Sequence, residues 1–294
     1  MKSGFVSLIG RPNVGKSTLI NSIVGKKVAI TSDKPQTTRN IIQGIYNEED
    51  TQIVFVDTPG IHKPIHKLGK FLNRQAYYSI DDVDVILMLV DASDKLGPGD
   101  KYVIEKLKET NKPVLLILNK IDKMAKSELL LKIHEYKDLY PFKEIVPLSA
   151  KTSDNVDALL KVIKNYLPDN IKYYDDEAIT NKPAAFVIAE IVREKVFNLT
   201  EEEVPHSITC LVEHMEKDKN GFTINVAIIV DRDSLKKIII GKQGSKIKNI
   251  GIDARKEIEE FLGGKVYLDL FVKTIKKWRD KEKYLAEFGY NDFE

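Results

Sequence analysis

The sequence predicts an α/β fold, a mostly parallel sheet with helices on both faces, followed by a smaller α+β domain. Two observations carry this. From residue 1 to about 167, short apolar runs alternate with longer helical patterns, as strands buried on both faces alternate with crossover helices. After residue 183 the order changes to helix, two strands, two helices and a strand. A length of 294 residues with 43% hydrophobic content accommodates two buried cores.

Taken in order, the first strand is the apolar run Phe5-Val6-Ser7-Leu8-Ile9, and the first helix is the amphipathic stretch from Thr18 to Val24. Strands are expected over residues 4–9, 41–47, 51–57, 84–91, 113–119 and 145–148, and a helix over 155–166 closes this half. Leu167-Pro168-Asp169-Asn170 is a helix stop, and residues 168–183 are polar enough to read as a linker. The second half is expected to hold a helix over 184–199, strands near 207–216 and 222–231, helices over 234–240 and 244–262, and a strand over 265–273. The domains are therefore 1–167 and 184–275, with a linker at 168–183 and a tail at 276–294.

Composition narrows the class of function. The one cysteine, Cys210, has no internal partner for a disulfide and sits in a strand-like run, which predicts a core position in a reducing compartment. The chain enters its first motif almost at once, which predicts no signal peptide, and the apolar run Val85 to Val90 is far too short to cross a bilayer. The net charge of +2 hides an uneven distribution. Lys236, Lys237, Lys242, Lys246 and Lys248 fall in a stretch without an acid, and six basic residues between Lys273 and Lys283 face only Asp280 and Glu282. Local basic surface of this kind suits a nucleic-acid partner.

The chemistry begins at Gly10-Arg11-Pro12-Asn13-Val14-Gly15-Lys16-Ser17, which fits G-x-x-x-x-G-K-[ST] between a strand and a helix. A loop of this shape turns backbone N–H groups around a polyphosphate, with Lys16 reaching the β/γ-phosphates and Ser17 binding Mg²⁺. At the end of the third strand, Asp57-Thr58-Pro59-Gly60 places a carboxylate for Mg²⁺ and a glycine N–H for the γ-phosphate. In the polar segment 33–40, Thr38 rather than Thr37 is expected to complete the Mg²⁺ shell once triphosphate binds. Lys16, Thr38 and Gly60 are thus the candidate catalytic residues. Asn119-Lys120-Ile121-Asp122 selects the base, because a carboxylate at Asp122 can accept from guanine N1–H and N2–H₂ together while adenine offers no such pair. Lys120 can cover the base plane with its stem, and Ser149-Ala150-Lys151 can supply a backbone N–H toward guanine O6.

These motifs resemble those of the translation-factor class of GTPases. Where Ras-like proteins carry a water-orienting glutamine after the DxxG glycine, this chain has Ile61. An isoleucine cannot hydrogen-bond to water, so intrinsic hydrolysis is expected to be slow, on the order of the 10⁻⁴ s⁻¹ of unassisted Ras. Several ribosome-assembly and tRNA-modification GTPases with a similar phosphate loop bind K⁺ through an asparagine at the position of Asn13. The resemblance makes Asn13 the candidate K⁺ ligand, with a loop-internal hydrogen bond as the alternative. His62 and His66 beside this segment are given no role.

In the second half, Ile240-Gly241-Lys242-Gln243-Gly244-Ser245-Lys246-Ile247-Lys248 lies between two helices. Glycines spaced G-x-x-G bring backbone against a sugar-phosphate chain, flanking apolar residues form a groove about four nucleotides long, and the lysines meet phosphates. Ile240, Gly241, Lys242, Gln243, Gly244, Ser245, Lys246 and Lys248 are the candidate RNA contacts. Within α-β-β-α-α-β, this resembles a bacterial-type (type II) KH domain. Lys276-Lys277-Trp278-Arg279-Asp280 either touches RNA or anchors the terminal helix to the KH body.

A GTPase joined to a C-terminal KH domain resembles the Era family along the whole chain, including Ile191-Val192-Arg193-Glu194-Lys195 and Gly251-Ile252-Asp253-Ala254-Arg255. The resemblance implies a factor that binds near the 3′ end of 16S ribosomal RNA and assists maturation of the small ribosomal subunit. It also implies a cytoplasmic protein in loose peripheral contact with the inner membrane. A monomer is expected.

Overall fold

A computed structural model describes residues 1–32, 34, 37–59, 67–72, 74, 82–201 and 204–290. The chain divides into two compact units, one of residues 1–63 and 72–181, the other of residues 64–71 and 182–294.

The first unit is built on a six-stranded sheet of β1 (Lys2–Ile9), β2 (Ile42–Glu48), β3 (Thr51–Asp57), β4 (Val85–Asp91), β5 (Val114–Asn119) and β6 (Glu144–Pro147), in the spatial order β2-β3-β1-β4-β5-β6. Only β2 runs antiparallel, against β3. Central strands are buried on both faces, so their sequences read as continuous apolar runs; every residue of β4, Val-Ile-Leu-Met-Leu-Val-Asp, is buried. Alternation along the strands divides the core into two layers. Val85, Leu87, Leu89, Leu115 and Ile117 face α1 (Lys16–Val24) and α4 (Val156–Lys164), which contribute Leu19, Ile20, Leu159 and Ile163. Ile86, Met88, Val90, Leu116 and Leu118 face the opposite layer, with Val103, Ile104 and Leu107 of α2 (Pro98–Leu107) and Tyr136 of α3 (Lys126–Tyr136). Fully burying side chains of this size is worth about 1.5–3 kcal/mol each, which fixes the strand ends from which the motif loops emerge.

Residues 168–181, expected as part of a linker, are bound to this unit. The Ile45 N–H donates to the Ile179 carbonyl at 3.0 Å, and the Gln43 N–H to Asn181 Oδ1 at 3.1 Å. The buried side chain of Gln52 donates to the Tyr174 carbonyl at 2.8 Å and accepts from the Tyr173 and Tyr174 N–H groups at 2.7 and 3.0 Å. The Tyr173 ring meets Phe5 edge-on at 4.7 Å. Polar composition signalled solvation, whereas these polar groups satisfy the edge of the sheet.

The second unit has the expected order: α5 (Ala184–Leu199), β7 (Ile208–Asp218), β8 (Gly221–Val230), α6 (Asp233–Ile240), α7 (Ser245–Leu262) and β9 (Val266–Thr274). β7 and β8 form an antiparallel hairpin, whose turn is closed by the Asn220 and Gly221 N–H groups donating to Asp218 Oδ1 at 2.7 and 3.0 Å. β9 joins β8 in parallel, with Phe222 opposite Val266 and Val230 opposite Thr274. Ile250, Ala254 and Ile258, one turn apart on α7, pack with Val187, Ile191 and Val192 of α5 and with Ile224, Val226 and Ile228 of β8. Cys210 is buried, as expected.

The tail belongs to this body. Trp278 is fully buried, its indole N–H donates to the Ser207 carbonyl at 3.0 Å, and its ring stacks on Tyr290 at 6.1 Å and meets Phe288 edge-on at 5.6 Å. The Tyr290 hydroxyl lies 3.0 Å from the Thr209 hydroxyl. Of the two readings of residues 276–280, anchoring is the observed one for Trp278. Arg279 is likewise paired, to Asp231 at 2.6 Å.

Candidate active site and nucleic-acid interface

The phosphate loop, residues 10–17, joins β1 to α1. Gly15 has φ 99°, and a Cβ there would fall 2.2 Å from the Asn119 side-chain nitrogen, so glycine is required both for conformation and for space. Lys16 is 7% exposed, and its ammonium donates to the Gly10 and Arg11 carbonyls at 3.4 and 3.3 Å. Burial pulls its pKa below the ordinary lysine value, against the opposing pull of the Asp57 carboxylate. A cation held by two loop carbonyls can swing to phosphate oxygens with little rearrangement. Val14 is buried beneath the loop and Pro12 is half-buried at its rim.

Three oxygens from three segments converge beside Lys16. The Ser17 and Thr38 hydroxyls donate to Asp57 Oδ2 at 2.7 and 3.2 Å and lie 3.0 Å from each other. Asp57 is wholly buried, its Oδ1 has no hydrogen-bond partner among the described residues, and burial raises its pKa against the lowering effects of Lys16 and the two hydroxyls. An all-oxygen cluster with an orphaned carboxylate oxygen fits a hard divalent cation such as Mg²⁺. Thr38 rather than Thr37 stands in this cluster, because the Thr37 hydroxyl donates to the Lys34 carbonyl at 2.6 Å. Thr58 is buried and donates to the Leu8 carbonyl at 2.8 Å, which ties the start of the Asp57-Gly60 motif to β1, and Pro59 is also buried. Gly60, Ile61, His62 and His66 lie outside the described residues.

At the base end, Asn119 acts as a fastener. Its Nδ2 donates to the Val14 carbonyl at 2.8 Å, while its Oδ1 accepts from the Ala150 and Lys120 N–H groups at 2.9 and 2.8 Å. Three loops are thereby locked together by one side chain that is 2% exposed. Asp122 is exposed, and its Oδ1 accepts from the Ser149 hydroxyl at 2.6 Å. Ser149 is fully buried, so it fixes the rotation of the base-reading carboxylate. Of the N–H groups in residues 149–151 expected to face guanine O6, that of Ala150 donates to Asn119 Oδ1. Lys120 has φ 67°, and its ammonium donates to the Asn13 carbonyl at 2.7 Å, which ties this loop to the tip of the phosphate loop. Asn13 is exposed at the loop tip, with φ 65°.

Arg11 enters the site through its backbone only. Its Nε donates to Asp100 Oδ1 at 2.8 Å and a terminal nitrogen lies 3.4 Å from Asp94, so its guanidinium points to α2 and not to the phosphates. Asp100 is 1% exposed, which makes this pair a tether of the loop.

In the second unit, Gly241 and Gly244 have φ 73° and 75°, and Gln243 between them has φ 52°. Ile240 is half-buried, while Lys242, Gln243, Ser245, Lys246 and Lys248 are exposed around the turn. Along α7 and β9 runs a cleft of about 330 Å³, whose apolar lining includes Ile247, Ile252, Leu268 and Leu270 and whose cations are Lys248 and Arg255. Gly251 faces Leu270, where a Cβ would stand in ordinary contact at 3.5 Å. The β9 residues and Arg255 were not among the candidates from sequence, although Arg255 follows Lys248 by seven residues and so shares its helix face. An apolar trough rimmed by cations accepts unpaired bases and their phosphates.

A family model described as 50S ribosome-binding GTPase matches residues 5–120, and one described as KH domain matches residues 203–279. Among solved structures, the chain is similar to a crystal structure of Era in complex with MgGDPNP and nucleotides 1506–1542 of 16S ribosomal RNA, with 42% identity over 99% of each chain and a TM-score of 0.95. It is similar to the same degree, 42% identity over 99% of each chain with a TM-score of 0.95, to a tyrosine-to-alanine variant of Aquifex aeolicus Era bound to GDP·AlF4⁻.

Proposed function

Since the chain belongs to the Era family of GTPases, we propose that it hydrolyses GTP to GDP and phosphate and uses nucleotide state to control KH-mediated binding to the 3′ region of 16S ribosomal RNA, assisting maturation of the small ribosomal subunit. The observation that carries the nucleotide reading is the convergence of Ser17, Thr38 and Asp57 oxygens beside the buried Lys16, in one site with the open carboxylate of Asp122. Lys16 would neutralise β/γ-phosphate charge, Ser17, Thr38 and Asp57 would hold Mg²⁺, and Asn119 keeps base and phosphate loops in register. Bound Mg²⁺ supplies charge stabilisation on the transferring phosphoryl group. Ile61 supplies no water-positioning group, so a backbone group, another side chain or a partner does so.

Thr38 contributes to the cation cluster from the segment between α1 and β2, so binding and loss of the γ-phosphate alter the contacts that hold this segment. RNA affinity measured with a GTP analogue and with GDP tests the control: the two should differ, in which direction the experiment decides, and equal affinities would end the switch reading.

K⁺ is the second cation of the site in this reading, held by the Asn13 side chain where an arginine finger would otherwise act. The tether that turns Arg11 away from the phosphates supports it, since no cis arginine comes from the loop. Hydrolysis should run faster in K⁺ than in Na⁺ at equal ionic strength, and Asn13→Ala should abolish the difference; equal rates for the unaltered protein would remove the assignment. We also infer a monomer located in the cytoplasm, in peripheral contact with the cytoplasmic side of the membrane. Family membership supports this placement, and among the described residues no helix is long and apolar enough to cross a membrane.

A further inference from the structure

At the end of β4 stands a carboxylate that none of the nucleotide motifs contains. Asp91 is 8% exposed, and its Oδ2 lies 2.6 Å from the Lys120 ammonium, whose other contact is the Asn13 carbonyl at 2.7 Å. Its Oδ1 accepts from the Ser93 hydroxyl at 2.6 Å and the Ser93 N–H at 3.1 Å, so the carboxylate has a fixed rotation. Burial alone would raise its pKa, but Lys120 and the Ser93 groups hold it below the ordinary carboxylate value. It is ionised at neutral pH.

The pairing of strands makes this contact systematic. Asp91 is the register partner of Asn119, the last residue of β5, so the carboxylate stands next to the start of the base-reading loop. Lys120 follows with φ 67°, a backbone state uncommon for a residue with a Cβ, and its ammonium is clamped between a charge behind it and a carbonyl of the phosphate loop in front. A lysine side chain left to itself would sample many rotamers, losing rotamer entropy each time it lay along a bound base. Fixing the ammonium beforehand removes that cost. The same clamp also holds the Asn13 peptide at the loop tip, where φ is 65°.

We propose that Asp91 is a positioning residue for nucleotide retention: it preorganises Lys120 over the base and, through Lys120, the tip of the phosphate loop. The proposal rests on the guanine-nucleotide reading of the site. It assigns Asp91 no contact with nucleotide, and it separates grip on the base plane, set by Asp91 and Lys120, from choice of base, set by Asp122.

The test is a double-mutant cycle on the full chain, with dissociation of a fluorescent GDP followed by stopped flow. Asp91→Asn keeps the shape and removes the charge, and Lys120→Met keeps the stem and removes the ammonium. Each should speed dissociation about tenfold, the loss expected of one charge-assisted hydrogen bond. The double variant should also be about tenfold faster, because both changes break one clamp. A further readout is the ratio of GDP to IDP affinity, which Asp122 governs; it should stay unchanged in Asp91→Asn, whereas general damage to the base loop would lower it. Additive effects near a hundredfold, unchanged dissociation in Asp91→Asn, or a collapsed GDP to IDP ratio would each overturn the proposal. Failure of the unaltered protein to bind GDP at all would instead overturn the reading on which it rests.

Discussion

Asp122→Asn should shift nucleotide preference from GTP to XTP. In the proposed reading the carboxylate accepts from two guanine donors, and charge-assisted hydrogen bonds are worth about 1.5–3 kcal/mol each, so GTP affinity should fall by roughly 10²–10⁴-fold. The asparagine amide offers one donor and one acceptor, a pattern that xanthine satisfies and guanine does not. The geometry favours a clean exchange, because Asp122 is exposed and its hydrogen bond from the Ser149 hydroxyl, at 2.6 Å, can be kept by the amide oxygen. Competition binding with GTP and XTP checks this. GTP affinity unchanged in the variant would show that another group reads the base.

Replacing both Gly241 and Gly244 with aspartate should abolish RNA binding, a loss of at least about a hundredfold, while GTP binding in the other unit stays intact. Two physical effects add. Gly244 lies in the left-handed region, which costs an L-residue about 1–2 kcal/mol, while Gly241, at φ 73° and ψ 177°, lies in a region open essentially to glycine alone, and a Cβ on it would meet the Lys246 side chain at 2.9 Å and its backbone nitrogen at 3.0 Å. The new carboxylates also stand where phosphates approach and offer Lys242, Lys246 and Lys248 partners of their own. Gly244→Asp compared with Gly244→Ala isolates the charge effect, since both carry the positive-φ cost and a Cβ there has nothing within 4 Å. Binding is measured on the RNA 3′ segment across a salt series. Retained affinity in the double variant, with GTP binding also retained, would move the RNA site elsewhere.

Most of the fold and the nucleotide site were legible in the sequence because their signals are local. Continuous apolar runs mark strands buried on both faces, and each loop at their ends carries its chemistry in adjacent residues, as from Gly10 to Ser17 and from Asn119 to Asp122. The GxxG turn is legible for the same reason. What escaped depends on partners far along the chain. Nothing near Ser149 announces that it rotates Asp122, twenty-seven residues away, and nothing near Arg11 announces Asp100. Trp278 lies in a basic cluster, and only its contacts with Ser207, Phe288 and Tyr290 make it an anchor. Arg255, Leu268 and Leu270 form one wall only when α7 is laid beside β9.

The tract from residue 168 to 181 has a bearing on association between chains. β2 pairs with β3 on one side only, and its outer row of N–H and C=O groups is the kind of exposed edge on which a second polypeptide can add as a strand. Ile179, Thr180 and Asn181 take up positions on that row, and Asp176 and Ala178 accept from the Asn47 side chain beside it. The chain thus guards its own sheet margin. A fragment ended at residue 167 would uncover it and invite self-assembly, whereas one ended at 181 would keep it sealed.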